Sequence, residues 1–211
     1  MQNSFTQNAR KEPAYYNNTI FCIDFDGVIC DSIVECFVVS WMGYFYDFKG
    51  VKPDSISVQH FARYRSYRPL IRTAEDYLIL QECIDKGYPL NSQADFDATK
   101  AAYSPQVLQT YRDLFYVARK RLLEEDREQW LRLNPLFPFL IPVLPLMGAD
   151  TRFHIVSTKR FDYLVELLQA NRIDWDKSRI HCAGDELKAV YIERLLQQTG
   201  AEQSFFVDDQ I

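Results

Sequence analysis

The sequence is short of several things that would place it quickly. It has no run of the ~18 apolar residues that a membrane span requires. The longest apolar-looking stretch, 33–48, carries Glu35 and Asp47. Residues 1–18 are polar and lack the apolar core of a signal peptide; the expectation is a mobile arm over 1–17 and a cytoplasmic protein. The five cysteines are odd in number and follow no repeated spacing, which reads as reduced thiols. No Cys-x-x-Cys pair points to zinc, and His60, His154 and His181 are scattered without a ligand motif. His154 falls in an expected strand and reads as structural. A net charge of −5 lacks the basic excess that a nucleic-acid partner calls for. There is no internal repeat and no low-complexity segment.

What remains is an ordinary globular balance, 47% hydrophobic and 25% charged, in a chain long enough for one sizeable domain or a core with an inserted cap. The most informative stretch is 19–32. Residues 19–23 are β-formers, and they run into Asp24, Asp26 and Gly27. A buried parallel strand reads as such an apolar run closed by a turn residue, and open α/β sheets place ligands at the carboxyl ends of their strands. Two acids there repel unless a cation or an anion-transfer reaction occupies the space between them. Gly27 permits a sharp turn and close backbone approach. Asp31 and Ser32 fall where a helix N-cap belongs. The plainer alternative is a pair of turn acids after an ordinary strand. A calcium loop needs further oxygen ligands and a Glu at its twelfth position, and Cys30, Val34 and Phe37 interrupt that ladder.

Residues 32–48 read as one helix, with Ile33, Val34, Phe37, Val38, Trp41, Met42 and Phe45 at spacings of three and four. Residues 50–57, with Pro53, read as a loop. A basic aromatic patch follows over 61–72. Its plain reading is a solvated helix face; its sharper one is that Arg63, Arg65, Arg68 or Arg72 meets an anionic substrate, because a guanidinium fork suits phosphate or carboxylate. Arg68 is the candidate carried forward. Thr73 caps an expected helix that Gly87 ends. Residues 95–103 form a weaker helix and 105–133 a single long one, its charge-dense part, 119–132, facing solvent. Four prolines then punctuate an apolar segment over 135–145. No strand is convincing between 32 and 133.

From residue 151 the pattern changes. Short strands at 152–156, 180–182 and 204–207 alternate with helices at 161–171 and 186–198, the latter carrying Lys188 near its start. Such alternation predicts an α/β fold with a Rossmann-like parallel sheet. The helical block between the first and second strands is then an inserted all-helical cap. The expected division is a core of 18–31 and 136–211 with a cap over 32–135. Three strands end in polar residues: Asp24 and Asp26; Ser157, Thr158 and Lys159; Asp208 and Asp209. A parallel sheet brings these ends to one edge, with Lys188 from a helix. Acids for a hard cation, hydroxyls for anion oxygens and an ammonium for charge balance are what phosphoryl transfer needs.

On these residues the chain resembles the haloacid dehalogenase-like hydrolase superfamily, with a helical C1-type cap as in its phosphoglycolate phosphatase-like members. Asp24-Phe-Asp-Gly-Val-Ile-Cys-Asp-Ser32 is similar to its first motif, Phe153-His-Ile-Val-Ser-Thr-Lys159 to the second, Lys188 to the third and Phe205-Phe-Val-Asp-Asp209 to the fourth. Lys159 competes with Lys188 for the lysine role. The resemblance implies a Mg²⁺-dependent phosphatase of a small phosphorylated metabolite. Asp24 would be the nucleophile and Asp26 the general acid and base. Ser157, Thr158 and Lys188 would bind phosphate. Asp24, the Asp26 carbonyl and Asp208 would hold Mg²⁺, with Asp209 on a metal-bound water. Asp26 favours phosphate chemistry, since the superfamily's true dehalogenases lack an acid there. Val28 stands where many members carry Thr.

The sequence ends two residues after Asp209, where members continue through a further helix and strand. The expectation is a partial chain or a minimal sheet with an exposed edge. A phosphomutase of the β-phosphoglucomutase type would share every motif and be told apart by a bisphosphate intermediate. A phosphoacceptor receiver module would lack the long helical insertion, and a silent interaction protein of the same fold would keep the residues without turnover. Neither a nucleic-acid nor a membrane partner is expected, and the pattern specifies no oligomeric state.

Overall fold

A computed structural model describes residues 18–51, 56–184 and 186–209. The expected arm over 1–17 and Pro53 of the expected loop lie outside these residues. The chain divides into two compact units, one of 18–25 with 142–207 and the other of 26–141 with 208–209.

The first unit is built on a four-stranded sheet: β1 (Thr19–Ile23), β2 (Phe153–Ser157), β3 (Ile180–Cys182) and β4 (Gln203–Val207). Their order is β3-β2-β1-β4 and every pairing is parallel, as the alternating pattern predicts. Phe21 is opposite Phe153 on one side and Phe205 on the other. The three rings stack across the sheet with centroids 4.9 and 5.7 Å apart, a cross-strand contact that reinforces the register. On the other face Ile20, Cys22 and Val156 pack against Ile192 and Leu195. These last two lie on a helix running from Lys188 to Thr199, which Gly200 ends with φ +72°.

The second unit is helical: α1 (Ile33–Trp41), α2 (Val58–Tyr67), α3 (Ala74–Lys86), α4 (Gln93–Ala101), α5 (Pro105–Glu125) and α6 (Arg127–Arg132). The start of α3 is fixed by Asp76 accepting from the Thr73 N–H at 2.9 Å, and Gly87 stops that helix with φ +71°. The first unit adds α7 (Leu144–Ala149), α8 (Phe161–Ala170) and the Lys188–Thr199 helix, α9. Among the described residues no helix is long and apolar enough to cross a membrane.

Three expectations are corrected. The helix expected over 32–48 is α-helical only to Trp41 and continues as a π-helical turn, Met42–Phe48, where the Lys49 N–H reaches the Tyr44 carbonyl five residues back at 2.9 Å. The single helix expected over 105–133 breaks at Asp126, whose side chain caps α6 by accepting from the Gln129 N–H at 2.9 Å. The segment 119–132 is not uniformly solvent-facing, because Arg119 and Trp130 are buried. Arg119 grips the fully buried Glu35 with two bonds, Nε to Oε1 at 2.7 Å and Nη2 to Oε2 at 2.8 Å. Trp130 Nε1 adds a third donor to Glu35 at 3.3 Å. A charge taken out of water needs such a partner, so the charge-dense sequence hides an inward-facing ion pair.

Candidate active site

The site follows from where β1 and β4 stop. Ile23 and Val207 are the last paired residues, and the Asp24 N–H still bonds the Val207 carbonyl at 2.9 Å. Asp24 and Asp208 are therefore the next residues on two neighbouring parallel strands. Asp24 is buried, and both its oxygens are engaged. Oδ1 accepts from the Phe25 N–H at 2.7 Å and Oδ2 from Lys188 Nζ at 2.6 Å. Lys188 is the first residue of α9, so the start of that helix delivers the ammonium to the strand end.

Gly27 carries φ +83°, and a Cβ there would fall 2.0 Å from Asp209 Oδ2. Only a residue without a side chain leaves room for that carboxylate and adopts that backbone at low cost. The Gly27 N–H bonds the Cys30 carbonyl at 2.8 Å, closing a tight turn. Asp26 sits in this turn, half-buried.

Ser157 ends β2 and is buried; its hydroxyl accepts from the Lys159 N–H at 3.3 Å. Thr158 is exposed and Lys159 buried. Of the two candidate lysines, Lys188 is the one bonded to Asp24. Of the four arginines in the basic patch, Arg63, Arg65 and Arg72 are exposed. Arg68 turns inward, over the Tyr77 ring at 5.8 Å, with Nη2 3.7 Å from Asp209 Oδ2. Beside this chain segment, Tyr64 is fully buried, and its hydroxyl has no hydrogen-bond partner among the described residues. Tyr64 and Tyr77 were not candidates from the sequence. The signal was the spacing of four between Tyr64 and Arg68, which puts both on one helix face.

A parallel sheet whose strand ends carry Asp-x-Asp, Ser-Thr-Lys and Asp-Asp, with a helical insertion after the first, has the haloacid dehalogenase-like fold. Two solved structures bear this out. One is a haloacid dehalogenase-like family hydrolase of Streptococcus pneumoniae, similar over 91% of this chain and 75% of that one, with a TM-score of 0.56 and 17% identity. Another is a predicted phosphoglycolate phosphatase of Haemophilus somnus, similar over 89% and 75%, with a TM-score of 0.52 and 16% identity. At these identities the likeness is one of fold. No family model and no curated protein matches the sequence.

Proposed function

We propose that the chain is a Mg²⁺-dependent hydrolase of small phosphate monoesters that works through an aspartyl-phosphate on Asp24. The observation that carries this reading is the Asp24 carboxylate, buried at the end of a parallel strand and bonded to Lys188.

The donor set fits the metal. Carboxylates, without nitrogen or sulfur among the candidate ligands, suit a hard cation. Asp24, Asp208 and the Asp26 carbonyl would hold the ion, with Asp209 on a coordinated water. When bound, it supplies positive charge against the phosphoryl oxygens.

The remaining work falls to the chain's own groups. An Asp24 oxygen attacks phosphorus, and the bond to the ester oxygen breaks. Asp26 gives that oxygen a proton, then takes one from the water that cleaves the aspartyl-phosphate and regenerates Asp24. Lys188, the Ser157 hydroxyl and the Thr158 backbone hold the phosphoryl oxygens as charge shifts. The guanidinium fork of Arg68 suits an anionic group on a small soluble metabolite.

The test is hydrolysis of p-nitrophenyl phosphate with and without Mg²⁺. Turnover should require the ion and vanish in Asp24→Asn. Lys188→Met should lower kcat by about 10²–10³, the effect of removing one donor from a developing oxyanion. A folded chain without metal-dependent turnover, or one whose turnover survives Asp24→Asn, would refute the reading.

A further inference from the structure

Beneath α9, away from the strand-end acids, two histidines are joined. His154 of β2 is buried; His181 of β3 is half-buried. His154 Nδ1 and His181 Nε2 are 3.0 Å apart, and the rings stack with centroids 5.2 Å apart. Tyr191 of α9 lies on His181, ring centroids 5.6 Å apart. The pair thus sits in the seam between the sheet and α9. Ile192 and Leu195 fill the same seam against Cys22 and Val156, the strand partners of His154 and His181.

We propose that the His154–His181 pair is an acid-sensitive latch that holds α9, and with it Lys188, on the sheet.

A hydrogen bond between two imidazoles needs one ring nitrogen with a proton and one without. Two protonated rings present N–H to N–H and repel. Among the described residues no carboxylate bonds either ring to offset an added charge. Cys22 lies opposite His154 in register, and burial pushes its thiol up to about 12. Burial likewise pushes Cys182, next to His181, up to about 11. On α9 the facing groups are Tyr191 and, over its ring, Arg194. Arg179, just before β3, is a further cation; its guanidinium bonds the carbonyls of Asp150 and Phe153. Neither ring has a carboxylate partner among the described residues. Accordingly burial, and then Arg179, lowers the His154 pKa. Burial, and then His154, brings His181 down from its ordinary 6.5 to about 4.

The direction of the pH effect follows. A histidine kept neutral by the fold binds fewer protons than it does unfolded. Its contribution is whole above 6.5 and is lost as pH falls from there toward 4. The helix released carries Lys188 at its first position, three residues before Tyr191, so acid should free the ammonium from Asp24.

The experiment is amide hydrogen exchange of the intact chain at pH values from 7.5 to 4.5, corrected for intrinsic rates, beside NMR titration of the histidine ring protons. Protection in 188–199 should fall at least tenfold more than in β1. Both buried rings should titrate below 6.5. His181→Phe, which keeps a ring against Tyr191, should abolish most of the pH-dependent loss. If the variant fails to fold, the wild-type titration and exchange decide alone. Rings titrating at or above 6.5, or α9 protection that follows β1 at every pH, would overturn the proposal.

Discussion

Replacing Arg119 with Met should cost the protein a large part of its stability. The substitution keeps much of the aliphatic stem and removes the guanidinium, whose central carbon lies over the Phe115 ring at 4.6 Å. Glu35 is fully buried and loses both short charge-assisted bonds, at 2.7 and 2.8 Å. The Trp130 N–H at 3.3 Å and the Cys36 thiol at 3.5 Å remain, but a neutral donor contributes only about 1 kcal/mol against a carboxylate left in a dry interior. Removing one partner of a buried pair costs about 3–5 kcal/mol, a large share of the 5–15 kcal/mol typical of a domain. With a urea slope of about 2 kcal/mol/M, the unfolding midpoint should drop by about 2 M. The destabilisation belongs to the stranded carboxylate, so Glu35→Leu added to Arg119→Met should recover about half of the loss or more. Urea titrations of the wild type, Arg119→Met and the double variant, followed by circular dichroism, measure this. A drop below about 0.5 M, or a double variant worse than Arg119→Met alone, would show that Glu35 is not stranded and refute the argument.

Two further outcomes are expected. Gly27→Ala puts a Cβ 2.0 Å from Asp209 Oδ2 on a backbone with φ +83°; the carboxylate must move, and Mg²⁺ affinity, read by isothermal calorimetry, should fall about tenfold or more. Glu75 gives an acid limb to stability. Burial pushes its pKa up, but hydrogen bonds from Thr73, its own backbone, Lys100 and Arg112 prevail and bring it from 4.5 to about 2. The unfolded chain therefore binds the proton first, and the contribution is whole above 4.5 and lost as pH falls toward 2. Glu75→Gln should flatten the fall in thermal midpoint across that window; an unchanged slope would exclude Glu75 as its source.

The strand ends were legible because they follow short apolar runs, and a parallel sheet makes the direction of each run enough to place its last residue. The cap at Thr73 and the stop at Gly87 were legible for the same local reason. Arg119 was not: in a segment crowded with Arg, Glu and Asp, periodicity does not reveal which charge turns inward to a partner 84 residues away. Asp126 carried a signal that could have been read, since Asp followed three residues later by Gln is a helix-start pattern. The π-helical turn had no such mark. The His154–His181 pair depends on which residues of β2 and β3 lie on one face, and that needs the register, which neither strand states alone.

The pairing of Ile23 with Val207 makes the spacing of the acids behave as a count rather than a length. One residue inserted into β4 would carry Asp208 about 3.3 Å along the strand and turn it to the opposite face. No intermediate position exists that a small backbone adjustment could restore. The same insertion in an exposed loop would add closure entropy that grows only with the logarithm of loop length. Mutational tolerance should therefore be sharply uneven along this chain. Connecting segments can lengthen by many residues, whereas the five residues of β4 admit substitutions but no change in number.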